Sequence, residues 1–274
     1  MKFSVLMSVY KNESVCNFRE AMDSMLNQTL LPDEIVLMRD GPVPDELQQV
    51  IDEYVAAINL ISYYPLDENQ GLGIALSIGV KKAKYDYIAR MDTDDVAFLN
   101  RFELQTKYME EHPDISVCGG QIYEFIGTTE NVVGKREVPT DHQGICQFMR
   151  KRNSFNHMTV MFRREDVLAA GNYQDMYLVE DYYLWCRMLN LGYKFGNLDE
   201  VLVYARTNED MYQRRGGYKY FKSWKMIEQY KRETGITTFK EYASTLIMRF
   251  TVQILMPNKV RGAILKKFSR RQGN

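Results

Sequence analysis

Short apolar runs alternate with segments whose apolar residues recur every three or four positions, and the alternation persists from residue 3 to residue 91. "FSVLMSVY" (3–10), "EIVLMRDG" (34–41), "LISYYPL" (60–66) and "YDYIARM" (85–91) have the length and bulk of buried strands. The first intervening segment carries Val15, Phe18, Met22, Met25 and Leu26 at helical spacing, with Asn12 or Ser14 as its cap. The second opens at Pro44 and repeats Leu47, Val50, Ile51, Tyr54, Val55 and Ile58. The third begins near Gly73 and presents Leu76, Val80 and Ala83. A β-α-β-α-β-α-β order predicts an α/β fold, Rossmann-like, with a mainly parallel central sheet and helices on both faces.

Ligands of such sheets bind outside the carboxyl ends of the strands. The residues there are Ser8 to Asn12, Asp40, Asp67 to Gly71, and Asp92 to Asp95, so three of the four strand ends are acidic. The first turn, "SVYKNES", has no glycine for a dinucleotide pyrophosphate to approach, which excludes a nicotinamide or flavin fingerprint. Asp92 and Asp94 stand at i and i+2, one face of an extended chain, with Asp95 able to join them at a turn. Oxygen ligands in that arrangement suit Mg²⁺ or Mn²⁺ held jointly by carboxylates and substrate phosphates. The competing structural explanation is that Asp94 or Asp95 caps the following helix, marked by Phe98, Phe102, Leu104, Tyr108 and Met109.

A second acidic pair, Glu180 and Asp181, begins "EDYYLWCRMLNLGYK". Leu184, Trp185, Met188 and Leu189 give that segment a helical core face, and Gly192 ends it. The helix dipole alone favours acids at this end.

Net charge is −1 over 274 residues, without the basic footprint of a nucleic-acid-binding chain. Residues 240–274 carry +7, however, leaving about −8 on the rest. In that basic segment Leu246, Phe250 and Ile254, then Val260, Ile264 and Phe268, recur at four-residue steps among Arg249, Lys259, Arg261, Lys266, Lys267, Arg270 and Arg271. Pro257 is expected to separate two short amphipathic helices, suited either to an anionic membrane surface or to docking on the core. The longest lipid-like stretch, "TLIMRFTVQILM", is too short to span a bilayer and contains Arg249. Cys16, Cys118, Cys146 and Cys186 form no C-x-x-C pair, and the first residues lack a signal-peptide core, so a reduced cytoplasmic setting is expected, with peripheral attachment to the inner face of the membrane through the tail.

Taken in order, "FSVLMSVYKNES", "EIVLMRDGP", "DENQGLGIALSIGVKKAKYDYIARMDTDDV" and "VEDYYLWCRMLNLGYK" resemble the family 2 glycosyltransferases, which have the A-type nucleotide-diphospho-sugar fold. The likeness covers residues 1 to about 205 and points to the bacterial enzymes that build capsules, O-antigens and exopolysaccharides. The resemblance implies a nucleoside-diphosphate sugar donor, UDP in the common case, and a saccharide acceptor that is often lipid-linked. Asp40 then meets the nucleotide base, while Ser8, Tyr10 and Asn12 line the nucleoside pocket. Asn69 and Gly71 match the loop before the third helix. Asp92, Thr93 and Asp94 match the D-x-D signature, with Asp94, Asp92 or Asp95 on Mn²⁺ or Mg²⁺ and Arg90 neutralising the acids or meeting phosphate. Asp181 is the implied general base and Glu180 the second choice. His157 matches the acceptor region or is simply hydrogen-bonded, and Arg206, Arg214 and Arg215 belong either to a loop able to close over the diphosphate or to an exposed basic linker.

The domain expectation is a catalytic unit over 1–215, divided into a nucleotide-sugar half (1–120) and an acceptor half (121–215), and a helical basic extension over 216–274. The processive members' Q-x-x-R-W motif and transmembrane helices are missing, so one sugar per encounter is expected, and the resemblance implies inversion of configuration. Two other functions compete. A sugar nucleotidyltransferase needs a glycine-rich basic first turn that "SVYKNES" does not supply, and a non-catalytic scaffold has no use for the Glu180-Asp181 pair.

Overall fold

The computed structural model describes residues 1–207 and 216–256. Four parallel strands form one side of the sheet: β1 (Phe3–Val9), β2 (Glu34–Arg39), β3 (Ile61–Pro65) and β4 (Tyr87–Asp92). Helices α1 (Val15–Leu26), α2 (Asp45–Ala57) and α3 (Leu72–Lys82) connect them. The expected alternation is therefore present. Of the two caps offered for α1, Ser14 serves, its Oγ accepting the N–H of Asn17 at 3.1 Å.

Beyond β4 lie β5 (Val96–Ala97), α4 (Arg101–Glu111), β6 (Ile115–Phe125), β7 (Val132–Arg136) and α5 (His142–Met149). They are followed by β8 (Met161–Arg163), α6 (Arg164–Ala169), α7 (Glu180–Asn190) and β9 (Lys194–Arg206). The sheet order is β3-β2-β1-β4-β8-β6-β9-β5, with β7 attached to β6. Only β8 breaks the parallel run between β4 and β9, since β6 pairs with β9 in parallel and β5 closes the far edge antiparallel. Both faces of the sheet are covered. Leu6, Val36 and Ile88 pack with α3 and α7 on one side, and Val5, Leu37 and Ala89 pack with α1, α2 and α4 on the other.

The helix Tyr218–Glu233 sends Tyr220, Trp224 and Ile227 into the core that also holds Trp185 of α7. It forms a hairpin with Phe239–Phe250, whose Thr238 and Glu241 make a reciprocal capping box. A π-helical turn, Thr251–Leu255, follows. The described part of the basic extension is thus docked on the core. Pro257 and the basic run after it lie outside the described residues. Among the described residues, no helix is long and apolar enough to cross a membrane.

Candidate functional site

Parallel register brings the strand ends together. Ser8 stands beside Met38 of β2 and Asp92 of β4, and Arg39 stands beside Pro65 of β3. Tyr10 follows β1 and is half-buried, and Asn12 is exposed in the next turn. Asp40, just past β2, is buried and acts as the knot of this edge. Its Oδ1 accepts the N–H of Gln70 at 2.7 Å, and its Oδ2 accepts the N–H of Gly71 at 3.0 Å and Nδ2 of Asn69 at 2.9 Å. A carboxylate oxygen carries two lone pairs, so Oδ1 keeps one for a ligand. Gly41 makes the approach possible: a Cβ there would sit 2.5 Å from the backbone nitrogen of Asn69.

Carboxylate oxygens of Asp92, Asp94 and Asp95 lie within 4.8 Å of one another. They do not cap the next helix. Helix α4 begins only at Arg101, its N-cap is Asn100, and β5 intervenes. Asp95 is buried, its Oδ1 accepts the N–H of Arg206 at 2.7 Å, and its Oδ2 makes no hydrogen bond among the described residues. An orphaned buried carboxylate oxygen is costly. With two further carboxylates beside it, it fits a hard divalent cation. Burial, then the charges of Asp94 and Asp92, push the Asp95 pKa well above the usual carboxylate range. Burial, Asp92 and Glu13 push Asp94 up to about 7. Glu13 is a fourth acid that the spacing did not single out. Its Oε2 lies 2.7 Å from the hydroxyl of buried Thr93, and the "KNES" turn gave no sign of it beyond its position after β1.

Arg90 is the buried counter-charge to this cluster, its Nη2 bonded to Asp92. Burial alone disfavours the guanidinium, but Asp92 holds its pKa above the ordinary arginine value. Among the described residues, Nε and Nη1 make no hydrogen bond. The same charge favours ionisation of Asp94, Asp95, Glu180 and Asp181, so Arg90 acts electrostatically on both acidic groups.

Glu180 and Asp181 are the first two residues of α7 and both are buried. Asp181 Oδ1 accepts the N–H of Tyr182 at 2.7 Å, and Oδ2 accepts Nδ2 of Asn153 at 2.5 Å. Gly73 lets this end of α7 meet the first turn of α3: a Cβ on Gly73 would lie 2.5 Å from the Gln174 carbonyl oxygen and 3.3 Å from Cβ of Glu180. Burial and the neighbouring Asp181 raise Glu180 to about 8. Asp181 is raised by burial too, but Tyr182, Asn153, Arg90 and Arg136 oppose the rise. With its pKa near 8 Glu180 keeps its proton at neutral pH, while the hydrogen bonds from Tyr182 and Asn153 and the nearby arginines favour the ionised form of Asp181.

His157 starts a 3-10 turn (His157–Thr159), with its Nε2 2.9 Å from the hydroxyl of Tyr173. Burial and the charge of Arg90 drive its pKa well below the usual value, so the ring is neutral. Arg206 differs from the expected loop arginine. It ends β9, donates from Nε to the Asp94 carbonyl at 2.9 Å, reaches Gly127 and Glu20 with its other nitrogens, and lies over the Phe125 ring. Arg214 and Arg215 lie outside the described residues. A groove of about 340 Å³ also lies between Glu137, Val138, Pro139, Phe148 and Arg152.

Comparison with known proteins gives a consistent picture. The sequence profile described as glycosyl transferase family 2 matches residues 4–169. The amylovoran biosynthesis glycosyltransferase AmsE of Erwinia amylovora is 38% identical over 97% of this chain and 98% of its own length. The UDP-Gal:alpha-D-GlcNAc-diphosphoundecaprenol beta-1,3-galactosyltransferase of Escherichia coli is 34% identical over 98% of this chain and 97% of its own. Among solved structures, S. aureus TarS 1-349 in complex with UDP-GlcNAc superposes with a TM-score of 0.67 at 17% identity, over 92% of this chain and 73% of that one. The mannosyltransferase PcManGT of Pyrobaculum calidifontis, in complex with GDP-Man and Mn2+, gives 0.61 at 13% identity, over 98% of this chain and 79% of that one. At these identities the superpositions establish the A-type glycosyltransferase fold.

Proposed function

Because the chain belongs to glycosyltransferase family 2 and is therefore a sugar-transferring enzyme, we propose that it moves a sugar from a UDP-sugar to a hydroxyl of a saccharide acceptor during surface-polysaccharide assembly, with inversion and one sugar per encounter. The observation that carries this reading is the pairing of two separate acid groups, the partly buried Asp92, Asp94 and Asp95 cluster and the buried Glu180 with Asp181, under the influence of one buried arginine, Arg90. A scaffold has no need of the second group.

Asp40 and the Asn69–Gly71 loop it organises, with Ser8, Tyr10 and Asn12, form the nucleoside side of the cleft. Asp94, Asp95 and Asp92 would hold Mn²⁺ or Mg²⁺, which when bound supplies positive charge to the departing diphosphate. The guanidinium of Arg90, whose Nε and Nη1 make no hydrogen bond among the described residues, would oppose the negative charge that grows on the diphosphate as the bond breaks. On the acceptor side Asp181 takes the hydroxyl proton. The acceptor oxygen bonds to the anomeric carbon as the bond from that carbon to the diphosphate oxygen breaks, releasing UDP and a protonated Asp181. Glu180, already protonated, adds no competing negative charge, and His157 contributes a neutral polar edge to the same region.

A lipid-linked acceptor is favoured by the diphosphoundecaprenol named for the Escherichia coli relative. Attachment to an anionic membrane draws support from Ile247, Met248, Phe250 and Leu255, all exposed on the hairpin that precedes the basic run. Flotation with anionic liposomes should weaken at high salt and vanish on removal of residues 240–274, and absence of binding at low salt would remove this part of the proposal. Transfer itself is tested by UDP release from UDP-glucose, UDP-galactose and UDP-N-acetylglucosamine with a synthetic lipid-diphosphate sugar acceptor. Asp181→Asn should lower kcat about 10²- to 10⁴-fold, the range of a general base, without loss of UDP binding. Release of pyrophosphate instead would identify nucleotidyl transfer.

A further inference from the structure

We infer that Lys231, acting through Tyr182, is a positioning residue for the Asp181 carboxylate, so that the C-terminal hairpin is a working part of the acceptor site. The inference rests on Asp181 being the base.

Lys231 lies in the last turn of the Tyr218–Glu233 helix and is fully buried. A buried ammonium is tolerated only if its donors are used. Here Nζ donates to the carbonyl of Arg150 and to the hydroxyl of Tyr182, each at 3.0 Å, and its charge is matched by Glu228 Oε1 at 2.6 Å. That hydroxyl donates in turn to the Met149 carbonyl at 2.5 Å, while the Tyr182 ring packs on Trp224 at 5.5 Å. One cation thereby ties together the start of α7 and the chain from Met149 to Arg150. A second fastening lies nearby, where the Arg150 guanidinium grips Glu241 of the other hairpin helix at 2.6 and 2.9 Å.

Those two segments are the ones that hold Asp181. Its Oδ1 is bound by the Tyr182 N–H and its Oδ2 by Asn153, three residues beyond Arg150. Of the other charges acting on Asp181, Glu180 shares α7 with it, whereas Arg90 and Arg136 come from β4 and β7. Loosening the Lys231 junction lets Tyr182 and Asn153 move independently, which weakens both hydrogen bonds to the ionised carboxylate and displaces the base from its aim. Misplacement by about 1 Å is enough to cost on the order of 10²-fold in rate.

The test compares the full-length protein with Lys231→Met/Glu228→Gln, which removes both buried charges together, and with Tyr182→Phe, which keeps the ring should the double variant fail to fold. For a UDP-sugar that the wild type turns over, kcat should fall at least 10-fold in either variant, with donor KM and UDP affinity within twofold. The acidic limb of the kcat profile should move to higher pH, a change that a smaller folded fraction cannot produce. Wild-type turnover with variant kcat within twofold, or with reduced kcat and an unmoved limb, would overturn the inference while leaving the transferase reading intact. A wild type that turns over none of the UDP-sugars would overturn that reading, and this inference with it.

Discussion

The backbone N–H of Arg206 donates to Asp95 Oδ1 at 2.7 Å, joining residues 111 positions apart at the point where β9 meets the acidic turn. The Arg206 side chain adds a bond from Nε to the Asp94 carbonyl. Arg206 is thus a clamp on the loop that carries the carboxylates. Substituting Arg206→Met keeps the backbone bond and removes the guanidinium. Chemical denaturation should show a loss of about 1 kcal/mol, from the hydrogen bonds to the partly buried Asp94 carbonyl and the exposed Gly127 carbonyl. Mn²⁺ affinity, read by titration, should fall roughly 10- to 100-fold as the carboxylates lose their outer support. Unchanged Mn²⁺ affinity would mean that the clamp does not govern the cluster.

Asn153 donates to Asp181 in its ionised form, and removing the donor favours the protonated form. Asn153→Ala should therefore shift the acidic limb of the kcat profile to higher pH, because a base works only when deprotonated, while UDP affinity measured by calorimetry stays within twofold. A shift to lower pH would show that the bond does not stabilise the charge on Asp181.

Glu180 makes a stability prediction of opposite form to that of a salt-bridged acid. Its folded pKa is raised from the model-peptide value of 4.5 to about 8, chiefly by burial. Between those values the unfolded chain has released the proton and the folded chain keeps it, so rising pH lowers stability across that window. Glu180→Gln removes this contribution. The stability of the variant relative to wild type, followed by urea denaturation, should increase steadily from about pH 5 to about pH 8. A pH-independent difference would contradict the protonation assigned to the pair.

Much of this site was legible before the fold was known, because its parts are local. The alternation of strands and helices predicts a parallel sheet, and the sheet puts Asp40 and Asp92 to Asp95 on one edge. Capping versus clustering at Asp94 and Asp95 was settled only by β5, a strand of two residues that carries no periodic signal. The place of β8 between β4 and β6 depends on pairings across more than 40 residues, which no spacing encodes. Asn153 and Lys231 escaped for the same reason: each meets its partner from 28 or 49 residues away, and a lone Asn or Lys in a polar stretch looks like surface. Arg206 was visible as a residue, but its neighbours in sequence are a basic loop, whereas its neighbours in space are the Asp94 and Gly127 carbonyls and the Glu20 carboxylate.

The central claim is that the acidic strand edge is a site for a metal and a nucleoside diphosphate. Its most direct test is calorimetric titration of UDP into the wild type and Asp94→Ala/Asp95→Ala, each with and without Mn²⁺. The account predicts UDP binding that strengthens with Mn²⁺ in the wild type and loses that dependence in the variant. UDP binding that is absent in the wild type, or equally strong in both proteins at every Mn²⁺ concentration, would contradict it.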